Sequence, residues 1–396
     1  MENLREIFAT YPVVAFLVTG EGGRHDPFGR FKNCLLAGSV SGTNLWEVSP
    51  CGSYIVGICY EYKDFIERLH SSKPDHFGWP LVQVTEVAFQ RVNMPWRPQE
   101  KELAPMEWQP ALRKEEYLEA IRRILEHLRR GDIYEMNFCM DFVASGVHDP
   151  LDVFETMCVR TPAPFSALYK WHHLWLLCSS PERFLCRRGD ILVSQPIKGT
   201  APRHEDPKTD RKLATFLARS PKNRRENVMI VDLVRHDLSR VCVPGTVHVS
   251  ELCGVHSFSH VHQLISTVKG QVRPGISFGD IIHAAFPPGS MTGAPKIKAM
   301  ELAEMYEPSR RGMYSGCIGY IEGETHLDLN VVIRSLVYNE LTGFWSGSVG
   351  GAITYWSRPE KEWEECLWKW RGLLSLFGLG NEQGLPLQGR RDAGVV

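Results

Sequence analysis

The sequence predicts an α+β fold, and three observations support that reading. Strand-like and helix-like segments are both plentiful but do not alternate strictly, as a doubly wound parallel sheet would require. There is neither an internal repeat nor a G-x-G-x-x-G fingerprint. The 396 residues, 43% hydrophobic and 23% charged, suffice for one large layered unit or two modest ones.

The first 110 residues read as short strands with turns: Val13 to Val18, Tyr54 to Ile58 and Leu81 to Val84. A Pro-rich stretch from Pro95 to Pro110 follows as a linker or crossover. From Arg113 the apolar residues Tyr117, Ala120, Ile121, Ile124, Leu125 and Leu128 fall at helical spacing, and Gly131 supplies the stop. Strand patterns come next at Met136 to Val143 and Ser166 to Cys178, with a short helix near Pro150 to Met157 between them. A turn and strand at Gly189 to Val193 lead into S-Q-P-I-K-G-T, where Pro196 ends regular pairing and Gly199 relaxes the backbone behind Lys198. Long helices are expected from Lys222 to Arg240 and from Glu360 to Phe377, with a further helix from Lys298 to Met305. The organisation expected is an N-terminal strand-rich region, 1–110, integrated into the same fold as a catalytic region, 111–377, followed by a disordered tail, 378–396.

The formal net charge of -1 argues against dependence on nucleic acid or an anionic membrane. No stretch reaches the length of a membrane span, and the start, M-E-N-L-R-E, lacks a secretory apolar core. A cytoplasmic location is therefore expected. The 11 cysteines are scattered without a C-x-x-C pair, which favours reduced thiols packed as small hydrophobes.

Lys198 stands at an element end, where desolvation would lower its pKa and make it a nucleophile or base; a solvated loop cation is the alternative. Glu182, 16 residues earlier with a turn midway, suits the outer end of the same hairpin, so carboxyl and amine would share a site or simply form a salt bridge. Glu226 lies early in its helix, where the dipole alone explains a carboxylate. Glu362 and Glu365 share one helical face. Carboxylates of two distant helices that meet would suit Mg²⁺, whereas separately each is a solvated face. P-P-G-S-M-T-G-A-P-K, residues 287–296, is a backbone-rich loop at a helix N-terminus, suited to an anion or to a tight connection. Arg334, in V-V-I-R, is a charge inside an apolar strand that needs a partner if buried.

Taken in order, S-P-E-R-F, Q-P-I-K-G-T, E-N-V-M-I-V-D-L-V-R-H-D-L, P-P-G-S-M-T-G-A-P-K, G-C-I-G-Y, V-V-I-R and E-W-E-E resemble the chorismate-utilising enzyme family over roughly residues 116–374. Gly131 to Phe138 and Gly29-Arg30-Phe31 extend the likeness upstream. The resemblance implies a sandwich of two large, mostly antiparallel sheets with flanking helices and the active site between them. It also implies catalysis by Lys198 and Glu182, Mg²⁺ held by Glu226, Glu365 and Glu362, and chorismate bound by Tyr320, Arg334, Gly350, Gly351 and Lys369. Ser290, Gly293, Ala294, Pro295 and Lys296 would complete the pocket. The lysine of P-I-K-G-T resembles the branch that aminates C4 through a covalent lysine; anthranilate synthases typically carry alanine there. Anthranilate or isochorismate-type synthesis is the alternative. No cysteine lies in a G-x-C-x-G elbow, so ammonia would come from a glutamine amidotransferase subunit, and relatives imply a tryptophan molecule in the N-terminal region. Three departures stand out: Gln263 where the family often has histidine, with His262 beside it; Arg235-His236-Asp237 for R-N-D; and Ala352 ending the glycine run.

Overall fold

The computed structural model describes residues 2–20, 28–29, 31, 33–39, 41–49 and 51–378. Arg30 and the tail beyond Gly378 lie outside the described residues, as does whatever was expected of them.

The described chain forms two ten-stranded sheets. One runs, in spatial order, through Gly293–Ala294, Glu135–Ser145, Phe344–Thr354, Ser335–Asn339, Leu174–Ser180, Phe165–Trp171, Val13–Val18, Cys34–Gly38 and Phe89–Arg91, with Gln109–Pro110 added beside Glu135–Ser145. The other runs through Ile197–Pro202, Val261–Gln271, Ile191–Gln195, Arg183–Arg188, His326–Val331, Cys317–Glu322, Ser53–Ile58, Val82–Glu86 and Ser41–Gly42, with His248–Ser257 added beside Val261–Gln271. The α+β expectation holds, and the N-terminal strands are built into both layers.

Burial explains why some strands read as unbroken apolar runs rather than alternating ones. In Val13–Val18 every residue is buried. Val14, Phe16 and Val18 join the core under the Lys114–Arg130 and Pro150–Arg160 helices, while Val13, Ala15 and Leu17 face the opposite sheet. Helix Pro221–Ser239 and helix Phe278–Ala285 pack a separate core on the second sheet, with Ile230, Val231, Ile281 and Ile282 fully or nearly fully buried. Between the N-terminal halves of the sheets the space is filled by the chain itself, with Trp79 stacked on Tyr169 at 5.8 Å.

Three readings change. Ser166 to Cys178 is two paired strands, Phe165–Trp171 and Leu174–Ser180, turned at His172 with φ 56°; a histidine pair in an aromatic run gives no ordinary turn signal. The Pro207–Arg219 helix has no counterpart among the expected elements, although Asp206 caps it by accepting from Thr209 N at 2.9 Å. Arg334 lies in no strand. It occupies the link from His326–Val331 in one sheet to Ser335–Asn339 in the other, at φ 50°.

Candidate active site

Lys198 is placed by a break in pairing. Ile197 and Thr200 both pair with the Val261–Gln271 strand, opposite Ile265 and Gln263, but the register shifts between them. Gly199 sits in that shift at φ 91°, and a Cβ there would come within 2.9 Å of the Asn223 side chain. The lysine side chain, 10% exposed, crosses to the other sheet and donates to Glu135 Oε1 at 2.6 Å. Glu182, expected to share a site with the amine, does act on it electrostatically, but the hydrogen-bonded partner is Glu135. Burial pushes the ammonium pKa down, but Glu135, Glu226 and Glu182 outweigh it and hold the amine protonated at rest. Glu135 carried no assigned role beyond its place in the Gly131 to Phe138 likeness, and it comes from a facing strand 63 residues earlier.

The 287–296 loop builds that strand into the site. Gly293 and Ala294 pair with Met136 and Glu135, Ala294 O accepts from Tyr134 N at 2.7 Å, and Thr292 O accepts from Asn137 N at 2.7 Å. Any side chain at Gly293 would strike the Glu135 carbonyl oxygen, 2.2 Å from the position of a Cβ. Pro295 caps the Lys296–Tyr306 helix. Lys296 itself is committed elsewhere, donating to Asp237 Oδ2 at 3.0 Å and Ala285 O at 2.9 Å, which ties helices together. Within the R-H-D segment, His236 is exposed and Asp237 is taken by Lys296.

Glu182 is buried, and its Oε1 accepts from Ile197 N at 3.4 Å. Burial raises its pKa to about 7, against opposing effects from Ser290 and Lys198. The buried Ser290 hydroxyl lies beside it.

Helix Pro221–Ser239 begins at a Ser220 cap with Pro221 in its first turn, and its second turn presents Glu226. Burial raises the Glu226 carboxyl to about 7, Lys198 opposes the rise, and Glu135 and Glu365 add to it. Oε1 of Glu226 is sealed from solvent with no donor. Across the space, helix Pro359–Leu374 offers Glu362, raised by burial, and Glu365, which Lys369 at 2.8 Å holds below the usual range. Lys369 also donates to Gly350 O at 2.8 Å. A Cβ on Gly351 would make only ordinary contact here, 3.5 Å from Glu362 Oε2 and 4.0 Å from Lys369 Nζ, so Gly351 faces this group without being required by it. Two buried carboxylates, Glu226 and Glu362, with the half-exposed Glu365 near them and one orphaned oxygen, suit a hard divalent cation. Among the described residues no three acidic, histidine or cysteine side chains stand together as a ready cage.

Arg334 is solvent-accessible yet enclosed by protein, so burial lowers its guanidinium pKa. Its guanidinium makes no hydrogen bond or ion pair among the described residues, while its carbonyl accepts from Ser179 N at 3.1 Å. Tyr320 is not brought to this group. Its hydroxyl accepts from Arg188 at 3.4 Å, beside the buried Arg183–Asp328 pair. Tyr314, which the sequence did not single out, is buried with Cys139, the residue paired with Gly350, and lies within electrostatic reach of Cys366 beside Glu365. A tyrosine outside the quoted G-C-I-G-Y motif carried no signal. His262 turns away, meeting Ser257 and Asp210 at 2.8 and 3.0 Å.

A family model described as chorismate binding enzyme matches residues 56–375. Aminodeoxychorismate synthase component 1 of Escherichia coli (strain K12) is 40% identical over 277 residues, 70% of this chain and 61% of that protein. The chain thus spans about 61% of the length of that relative. Anthranilate synthase component 1 of Thermus thermophilus is 33% identical over 373 residues, 86% of this chain and 80% of that protein. The crystal structure of anthranilate synthase component I from Streptococcus pneumoniae superposes with TM-score 0.74 at 21% identity, covering 91% of each chain, and shows the same fold.

Proposed function

Since the chain belongs to the chorismate-binding enzyme family, we propose that it aminates chorismate at C4 to 4-amino-4-deoxychorismate through a covalent bond to Lys198, as an aminodeoxychorismate synthase component 1. The observation that supports this most is the buried ε-amine held 2.6 Å from Glu135. Loss of the Nζ proton to Glu135 frees the lone pair. Nζ bonds to C2, the ring double bond shifts, and the C4–O bond breaks. The departing oxygen takes the proton of Glu182, whose pKa of about 7 keeps a protonated fraction at neutral pH, and leaves as water. Ammonia then bonds to C4, the Nζ–C2 bond breaks, Lys198 recovers its proton from Glu135, and the new ammonium returns one to Glu182.

Mg²⁺ is the proposed cofactor, held by Glu226, Glu365 and Glu362; when bound it draws electron density through the ring carboxylate. Arg334 suits the second carboxylate by bidentate pairing, with Gly350, Gly351 and Lys369 alongside. Ammonia comes from a separate glutamine amidotransferase or from free ammonium at high pH. A tryptophan molecule in the N-terminal region stays part of the proposal; finding none after denaturing the purified protein removes it.

Product analysis tests the reading. Chorismate, Mg²⁺ and ammonium should yield para-aminobenzoate only when an aminodeoxychorismate lyase is added, and Lys198→Ala should abolish the product while nearly preserving Mg²⁺ binding. The second reading, anthranilate synthesis, is favoured by the longer coverage of the Thermus thermophilus relative, and direct release of anthranilate would establish it instead.

A further inference from the structure

Gln263 is 1% exposed, and its Oε1 is sealed from solvent with no donor in reach. Its direction follows from strand alternation in Val261–Gln271. His262, Leu264 and Ser266 point to the outer helices, meeting Asp210, Leu217 and Asn227. Gln263, Ile265 and Thr267 therefore face the inner side. Thr267 accepts there from Gln195, which in turn accepts from Arg183, whose guanidinium lies over Phe165 of the opposite sheet at 4.7 Å. Lys198 sits between the ladder partners of Gln263 and Ile265 and crosses to Glu135 from the same side. A buried carboxamide without a partner costs free energy unless a ligand completes it. With His262 turned outward, no imidazole of this strand enters the cleft.

Resting on the amination reading, we propose that Gln263 positions the incoming ammonia: the carboxamide oxygen accepts one N–H, which turns the nitrogen lone pair toward the substrate carbon. An amide does not titrate, so it orients the nucleophile without taking its proton. Gln263 is in this sense a positioning residue for the nitrogen substrate and not for chorismate.

The test uses ammonium chloride as nitrogen source with saturating chorismate and Mg²⁺, comparing wild type with Gln263→Met and Gln263→Leu. Both variants keep the volume and remove the acceptor. The expected result is a rise of about five- to tenfold in KM for ammonia, the weight of roughly one net hydrogen bond, with KM for chorismate and Tm little changed. An unchanged ammonia KM in a folded variant overturns the proposal, as does an equal rise in both KM values, which would mark a merely structural side chain. Wild-type enzyme giving no aminated product with ammonium would instead refute the amination reading, and this inference with it.

Discussion

Glu135→Gln separates the two jobs assigned to the Lys198–Glu135 pair, holding a charge and receiving a proton. Both side chains are nearly sealed from water, at 10% and 1% exposure. Removing one partner of such a pair typically costs about 3–5 kcal/mol. Glutamine keeps an acceptor in place, and Glu226 and Glu182 still act on the ammonium, so the low end, about 3 kcal/mol, is expected. The pH dependence has a definite sign. The folded pKa of Lys198 is raised, so the pair stabilises fully below the unfolded lysine value of about 10.4 and loses that contribution as pH rises through the folded pKa. The stability gap between wild type and variant should therefore be open at pH 7 and close under alkaline conditions, which urea unfolding at several pH values would show. With Glu135 neutral, burial has less to oppose it and the lysine pKa falls. Lys198 should then acylate at lower pH, as peptide mass spectrometry of a pulse-labelled protein would record. Amination should nevertheless slow by about 10²–10⁴, the usual weight of a positioned proton acceptor. An unchanged amination rate, or acylation moving to higher pH, would refute the reasoning.

Glu182→Gln should slow amination and alter stability with the opposite sign from that of an ordinary salt-bridged carboxylate. The folded pKa of about 7 lies above the usual value of 4.5, so the wild-type group stabilises below pH 4.5 and loses that contribution as pH rises through 7. The variant should thus gain on wild type between those values, by on the order of 3 kcal/mol; a Tm difference flat from pH 5 to 8 would count against the assignment. For Glu226→Gln, Mg²⁺ affinity by calorimetry should fall at least about tenfold while the fold is retained, and undiminished affinity would remove Glu226 from the metal site. Asp328→Asn leaves the buried Arg183, which it meets at 3.0 Å, short of its counter-charge. It should cost about 3–5 kcal/mol in denaturant unfolding without changing KM for chorismate in the folded fraction. A raised KM would bring Tyr320 and its neighbours back into the substrate site.

The α+β class, the long helices, their caps and the run of motifs were written locally, because helix periodicity, capping and turn chemistry act over a few residues. Lys198 was legible for the same reason, as Pro196 and Gly199 flank it directly, and Glu362 and Glu365 declared themselves by helical spacing. The partner of Lys198 was not legible. Glu135 comes from the other sheet, and sequence distance carries no record of which strand ends face one another across a layer. That facing also bears on the charge of the amine, since a pKa follows from every group nearby, including those far off in the chain. Arg334 read as a strand residue because V-V-I-R is apolar and β-branched, whereas crossing between sheets requires a break at that point. Tyr314 and Tyr320 likewise look alike in sequence, and only packing sets the first in the buried cluster with Cys139 and the second against Arg188. Local propensity thus determined the elements and most of the candidate groups, and the stacking of two sheets decided which groups meet and in what state of protonation.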